Sequence, residues 1–391
     1  MSNFKNIETT LIHGGVAIDE YTGAVNVPIQ LSSTFKQDGL GNLRRGYEYA
    51  RTGNPTREAL EKLIAELDGG FAGFAFASGL AAISAVLSLG QKGDNIIISS
   101  NVYGGTYRLL DKIFNKFGYT YTIADTQNLD AFEKVINPAT KAVLLESPAN
   151  PLMSITDIRA LSQIAHKHGL TVIVDNTFMT PYLQRPIDLG ADITVYSATK
   201  YIGGHSDVIA GLVVVTTEDL KERITFIQNA VGGILSPFDS YLLIRGLKTL
   251  GVRLDRHVEN AVAIANQLAK HKAVKRLYYP GLPTDAGYEI NKKQAKNGGV
   301  MMSFELDEAY DYRTFFKSLK LIMPAESLGG VESLVCHPAS MTHASIPKEI
   351  RENVGITDGL IRLSPGIEHY SDLIEDIDQA IEASKKQGKT F

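Results

Sequence analysis

A single cysteine, Cys336, stands among 391 residues, so no intrachain disulfide can form and no cysteine-rich metal site can be built. That scarcity fits a reducing compartment. No run of about 18 apolar residues is present to span a bilayer. The opening segment MSNFKNIETTLIHGG lacks a basic start followed by an apolar stretch, so a secretory signal is not expected and a cytoplasmic protein is. An excess of one charge is missing too. The 39 Lys and Arg against 43 Asp and Glu leave a net −4 with no basic block, which removes the electrostatic footprint that nucleic acid or anionic lipid requires. Small molecules or proteins are the expected partners. Internal repeats and low-complexity tracts are also absent. What is there, 44% apolar and 21% charged residues, is the composition of a soluble globular protein long enough for roughly two to three domains.

The first fifty or so residues are rich in Gly, Thr and Asn and keep no period of 2 or 3.6. They read as an extended arm, residues 1–55, which must lie across the rest of the chain or across a second subunit. From residue 56 the pattern changes. Leu60, Leu63, Ile64 and Leu67 recur at helical spacing before Gly69 and Gly70, and short β-rich runs such as NIIISS, KAVLLES, TVIVDNT, ADITVYS and GLVVVTT then alternate with helical stretches. Alternation of this kind predicts an α/β fold, a mostly parallel sheet with helices on both faces. Residues 236–270 read as one or two long amphipathic helices, after which strand and helix patterns mix irregularly. A boundary is therefore expected near 250, between a large domain over 56–250 and a C-terminal domain over 251–391.

Chemistry concentrates where predicted strands end. Lys200 follows the strand ending at Ser197 and enters a turn bounded by Gly203 and Gly204; a lysine there can form a Schiff base if its amine is desolvated or lies beside another cation. Asp175 ends the apolar run TVIV, as a cap or as partner to a ligand cation. Ser78-Gly79-Leu80 places a glycine at a strand-to-helix turn, where free backbone N–H groups can cradle a phosphate. Ser197 and Thr199 flank the lysine with hydroxyls that could reach the same phosphate or bond within their own turn. Together these specify pyridoxal 5′-phosphate (PLP). His166 and His168, two apart on a predicted helix, point away from each other, and no metal site is expected. Cys336 beside His337 reads as a buried structural thiol.

The motifs LIHGG (11–15), GYEYARTGNPTR (46–57), FASGLAAISA (76–85), VYGGTYR (102–108), ESPANP (146–151), VDNTFMTP (174–181), SATKYIGGHSD (197–207), AESLGGVESL (325–334), MTHASIP (341–347) and IRLSPGIE (361–368), in this order, resemble the Cys/Met-metabolism family of PLP enzymes. The resemblance implies the aspartate aminotransferase-like fold, known as PLP fold type I. By it, Lys200 holds the cofactor and later moves substrate protons, Asp175 keeps the pyridine nitrogen protonated, and Tyr103 stacks on the ring and serves the leaving group. Gly79, Leu80, Ser197 and Thr199 hold the phosphate together with Tyr49 and Arg51 of a neighbouring subunit, which gives the arm a purpose and implies a homo-oligomer, a tetramer built of two dimers. Arg362 pairs with the substrate α-carboxylate, helped by Asn150 and Ser327. Glu48, Arg108 and Glu326 meet the far end of a long zwitterionic substrate. Within the family the chain is most similar to cystathionine γ-lyases and γ-synthases, since β-lyases usually lack the acid at Glu326, and methionine γ-lyases lack it and carry a cysteine where Gly105 stands. The implied reaction is α,γ-elimination of L-cystathionine, with γ-replacement on an acylated homoserine as the alternative.

Overall fold

In the computed structural model, which describes residues 4–15, 19–342, 348–353 and 355–386, the alternating segments assemble around one seven-stranded sheet. Its strands are β1 (Ala72–Phe76), β2 (Asn95–Ser99), β3 (Thr120–Ala124), β4 (Thr140–Glu146), β5 (Thr171–Asp175), β6 (Ile193–Ser197) and β7 (Gly211–Val215). They lie in the order β1-β7-β6-β5-β4-β2-β3. From β6 to β3 every neighbour is parallel, and β7 alone runs against β1 and β6. Both faces are covered, which is why the strands read as continuous apolar runs. Val172 and Val174 of β5 pack with Leu161 and Ala165 on one side, while Ile173 packs with Ile83 and Ile224 on the other, the alternation a period of two dictates.

A second sheet holds β8 (Val274–Tyr278), β9 (Met302–Leu306), β10 (Met323–Pro324), β11 (Leu334–Cys336) and β12 (Leu360–Ser364), in the order β10-β11-β12-β9-β8. Between the sheets run two helices, Pro237–Leu247 and Leu250–Leu268, where one or two were expected. One buried cluster continues from Leu60 and Tyr201 through Leu254 to Phe304, Ile361 and Ile381, so the two sheets share a core. Among the described residues no helix is long and apolar enough to cross a membrane.

The opening segment departs from its expected extended form. Ile7–His13 is a helix, α1, with Thr10 and Leu11 buried. Seven residues are too few to display a period, and such a helix is stabilised by docking rather than by propensity. It packs on α2 (Pro55–Asp68) and on Leu250–Leu268. Beyond it the arm is open: Tyr21, Leu31 and Leu40 are largely exposed. The next two helices are α3 (Gly79–Leu87) and α4 (Gly104–Lys112).

At the end of α2, Asp68 is fully buried and accepts the Tyr196 hydroxyl proton at 2.7 Å, and Tyr196 in turn accepts from Asn176 Nδ2 at 3.2 Å. The network therefore braces the residues beside Asp175 and Ser197. Burial pushes the Asp68 carboxyl up to about 7. Folded Asp68 then holds a proton that the unfolded chain has released, so stability falls as pH rises between the unfolded value near 4 and about 7, by at most about 1.4 kcal/mol per pH unit. Asp68→Asn keeps an acceptor for Tyr196 and removes the titration. Its melting temperature should decline less than the wild type's between about pH 5 and about pH 8, as followed by circular dichroism; an unchanged decline would contradict the assignment.

Candidate active site

Parallel strands end on one edge, and ligands in such sheets bind beyond that edge where the strand order reverses. Here the chain leaves β3 and returns on the opposite side of β2 as β4. A cavity of about 300 Å³ opens at this edge.

The β1-to-α3 turn supplies its floor. Ser78 caps α3 by accepting the Ala81 N–H at 3.0 Å, which leaves the N–H groups of Gly79 and Leu80 without a partner inside the helix. A Cβ at Gly79 would stand 2.9 Å from Ser197 Cβ, so only glycine lets the helix begin this close to the end of β6. Two free N–H groups beside the Ser197 hydroxyl at a helix N-terminus form a cradle for an anion. Thr199 also lines the cavity, but its hydroxyl donates to Ala210 O at 3.2 Å and accepts the Ala210 N–H at 3.1 Å. Of its two anticipated roles, the structure displays the local one.

Lys200 projects from the turn after β6, a turn gripped from outside by buried Arg253, whose guanidinium donates to Tyr201 O at 2.7 Å and Gly246 O at 2.8 Å. The Lys200 amine donates to Ser327 Oγ at 2.6 Å. Burial, and next the Arg362 guanidinium, lower its pKa to about 8, against an opposing pull from Glu326. Ser327 holds φ at 89°, a left-handed conformation that costs a non-glycine residue on the order of 1–3 kcal/mol. It keeps that shape between two cations: its hydroxyl meets Lys200 and its carbonyl accepts from Arg362 at 3.1 Å. Arg362, from β12 of the second sheet, also donates to Asn150 Oδ1 at 2.8 Å.

Asp175 ends β5 and accepts the Thr177 N–H at 3.0 Å and the Thr177 hydroxyl at 2.5 Å. Thr177 Oγ1 in turn accepts the Ser197 N–H at 2.8 Å, tying the ends of β5 and β6 together. Burial raises the Asp175 carboxyl, which suits it to a cationic partner. Tyr103 opens α4, and its ring folds over the first turn: a Cβ at Gly105 would lie 2.3 Å from Tyr103 Cε1. Glycine at 105 thus permits the pose of that ring.

Lys200, Asp175, Tyr103, Gly79, Leu80, Ser197 and Thr199 therefore line one cavity, and so do Arg362, Asn150, Ser327 and Glu326. Tyr49, Arg51, Glu48 and Arg108 are absent from its lining. Arg51 bonds instead to Asn229 O at 2.5 Å, and Glu48 and Arg108 are exposed. Residues 343–347, most of the MTHASIP motif, lie outside the described residues. Among the lining residues that the sequence reading did not single out are Thr177 and Glu146. Glu146 carried the signal that drew attention to Asp175, an apolar run closed by an acid.

Against known proteins, a family model described as Cys/Met metabolism PLP-dependent enzyme matches residues 8–382. The chain belongs to that family. It is 54% identical over 377 residues to the cystathionine beta-lyase of Lactococcus lactis subsp. cremoris (strain MG1363), covering 96% of this chain and 99% of that protein. To the cystathionine gamma-lyase of Bacillus subtilis (strain 168) it is 53% identical over 375 residues, with 96% and 99% covered. The crystal structure of cystathionine gamma-lyase from Lactobacillus plantarum complexed with L-serine superposes with a TM-score of 0.95 at 51% identity, covering 98% of this chain and 100% of that one. As in any PLP-dependent enzyme of Cys/Met metabolism, the cofactor needs an anion cradle, an acid for its pyridine nitrogen and an amine able to lose its proton. The α3 N-terminus, Asp175 and Lys200 have that chemistry.

The electrostatics of Lys200 can be read from cofactor uptake. Cofactor-free protein should take up PLP faster as pH rises, with a midpoint near about 8 rather than the ordinary lysine value of about 10.4. Arg362→Leu removes a repelling cation and should raise the midpoint, whereas Glu326→Gln removes an attracting acid and should lower it. Stopped-flow absorbance measures this, and a midpoint insensitive to both changes would refute the assignment.

Proposed function

We propose that the protein cleaves the Cγ–S bond of L-cystathionine by α,γ-elimination, consuming water and releasing L-cysteine, 2-oxobutanoate and ammonia. The observation that carries this reading is that groups of opposite charge, Arg362 and Glu326, line one cavity. A guanidinium matches an α-carboxylate, and an acid matches the ammonium at the far end of a long zwitterion. PLP, when bound, withdraws electrons from Cα and so makes its proton removable. Lys200, with an amine near neutrality, takes the Cα proton and then moves a proton at Cβ. Tyr103 protonates the departing sulfur. Arg362, held by Asn150 and by the Ser327 carbonyl, keeps the carboxylate end fixed.

The γ-lyase names of the Bacillus and Lactobacillus proteins support this choice; the lactococcal name favours β-elimination of the same substrate. Products separate them. With cystathionine as sole substrate, cysteine and 2-oxobutanoate are expected, and Lys200→Ala should lose at least about a thousandfold in kcat. Homocysteine with pyruvate would replace the proposal by β-cleavage. No product, but turnover of an O-acyl homoserine with cysteine, would replace it by γ-replacement.

We further propose a homo-oligomer, a tetramer of two dimers, in which Tyr49 and Arg51 complete the phosphate site of a neighbouring subunit while Glu48 and Arg108 serve the far end of the substrate. Supporting this, buried Arg57 donates to Ala50 O at 2.8 Å and Arg51 O at 3.2 Å, which presents Tyr49 and Arg51 outward. Mixing inactive Lys200→Ala and Arg51→Ala chains under subunit exchange should restore about a quarter of the sites, because half of random dimers are mixed and each of these carries one intact site. Activity that stays at the sum of the two variants would rule out sharing.

A further inference from the structure

Glu146 is a carboxyl group with no assigned task and an unfavourable address. It ends β4 directly opposite Asp175 on β5, both side chains line the cavity, and Glu146 is 8% exposed. Among the described residues no cation pairs with it in an ion pair. A buried acid beside a half-buried one costs stability unless one keeps its proton, and burial together with the charge of Asp175 holds the Glu146 carboxyl well above its ordinary value. Of the two, Glu146 is the one held more strongly toward its protonated form.

What offsets the cost is visible in its partner. Glu146 Oε1 accepts the Tyr103 N–H at 2.6 Å, and four residues beyond Glu146 the same loop carries Asn150. Tyr103, which opens α4, has no side-chain cap of its own. Asn150 is the residue whose amide oxygen holds Arg362. One side chain thus fastens the loop after β2 to the end of β4, from which the loop carrying Asn150 departs, across the point where the strand order reverses.

We propose that Glu146 is a positioning residue, whose carboxyl group sets the Tyr103 ring and the Asn150–Arg362 pair at their working separation. The inference rests on substrate lying between Tyr103 and Arg362 as proposed above, and holds whichever C–S bond breaks. Because the group serves as a hydrogen-bond acceptor, reach matters and ionisation does not. Glu146→Gln preserves the acceptor at the same distance; Glu146→Asp preserves the acid but withdraws it by one methylene, leaving the Tyr103 N–H without its partner.

The experiment compares PLP-loaded wild type, E146Q and E146D in cystathionine turnover, with cofactor absorbance and melting temperature as controls for occupancy and folding. E146Q should stay within about threefold of wild type, and E146D should lose about tenfold or more in kcat/KM, with kcat lowered and KM raised while its PLP occupancy stays full. A loss in E146Q overturns the proposal, because the proton and not the reach would then be essential. Wild-type kinetics in E146D overturn it as well. So does an E146D chain that does not fold or retain PLP, since the bond would then hold up the fold and not the site. Glycine affinity, followed by the change in cofactor absorbance, is a second readout that needs no C–S cleavage: it should weaken about tenfold in E146D and not in E146Q. If wild type fails to cleave cystathionine, the functional reading falls and the glycine measurement still decides the role of Glu146.

Discussion

Two basic side chains meet at one cavity, and the rest of the structure is arranged around their repulsion. Lys200 comes from the turn after the large sheet's β6 and Arg362 from the second sheet's β12. Left alone they would drive the sheets apart or draw in water. They are kept together by Ser327, which meets one with its hydroxyl and the other with its carbonyl at the expense of a left-handed backbone. Burial beside a guanidinium is what brings a lysine amine toward neutrality, so the lowered pKa of Lys200 is a property of the junction between the sheets rather than of either one.

Holding that junction needs a rigid frame, and the frame is unusually polar. Arg253 grips the lysine turn through carbonyls without an acid partner. Asp68, Tyr196 and Asn176 form a buried chain behind the ends of β5 and β6. Thr177 links those two ends directly. Each of these groups would be costly to bury unpaired, and each is bonded to backbone or side chain near a cavity residue. Burial of polar groups is thereby converted into precision at the strand ends, where small displacements matter most to chemistry. The continuous apolar cluster that spans both sheets resists their separation.

Much of the site was legible in the chain because it is local. Lys200, Ser197 and Thr199 are neighbours in sequence, Ser78-Gly79-Leu80 is a single turn, and Asp175 closes a recognisable apolar run. Glu146 closes one in the same way, yet its significance depends on lying opposite Asp175, and register between strands 29 residues apart is not written in either segment. Thr177 is similar: a threonine two residues beyond an aspartate looks like a turn residue until β6 is placed beside it. Helix α1 was hidden for a different reason, since a segment held by docking carries little periodicity of its own.

The sequence by itself determined the class of fold, since alternating apolar runs and helical stretches admit few layered arrangements, and it determined the types of chemical group available at the strand ends. Motif order also determined the family. Tertiary structure alone decided which groups meet. It brought Arg362 within reach of Asn150, 212 residues away, and of Ser327, 35 residues away, left Tyr49 and Arg51 outside their own chain's cavity, and set the acids Glu146 and Asp175 side by side. Those outcomes depend on distances and desolvation, which arise only when separate segments share a volume from which water has been removed.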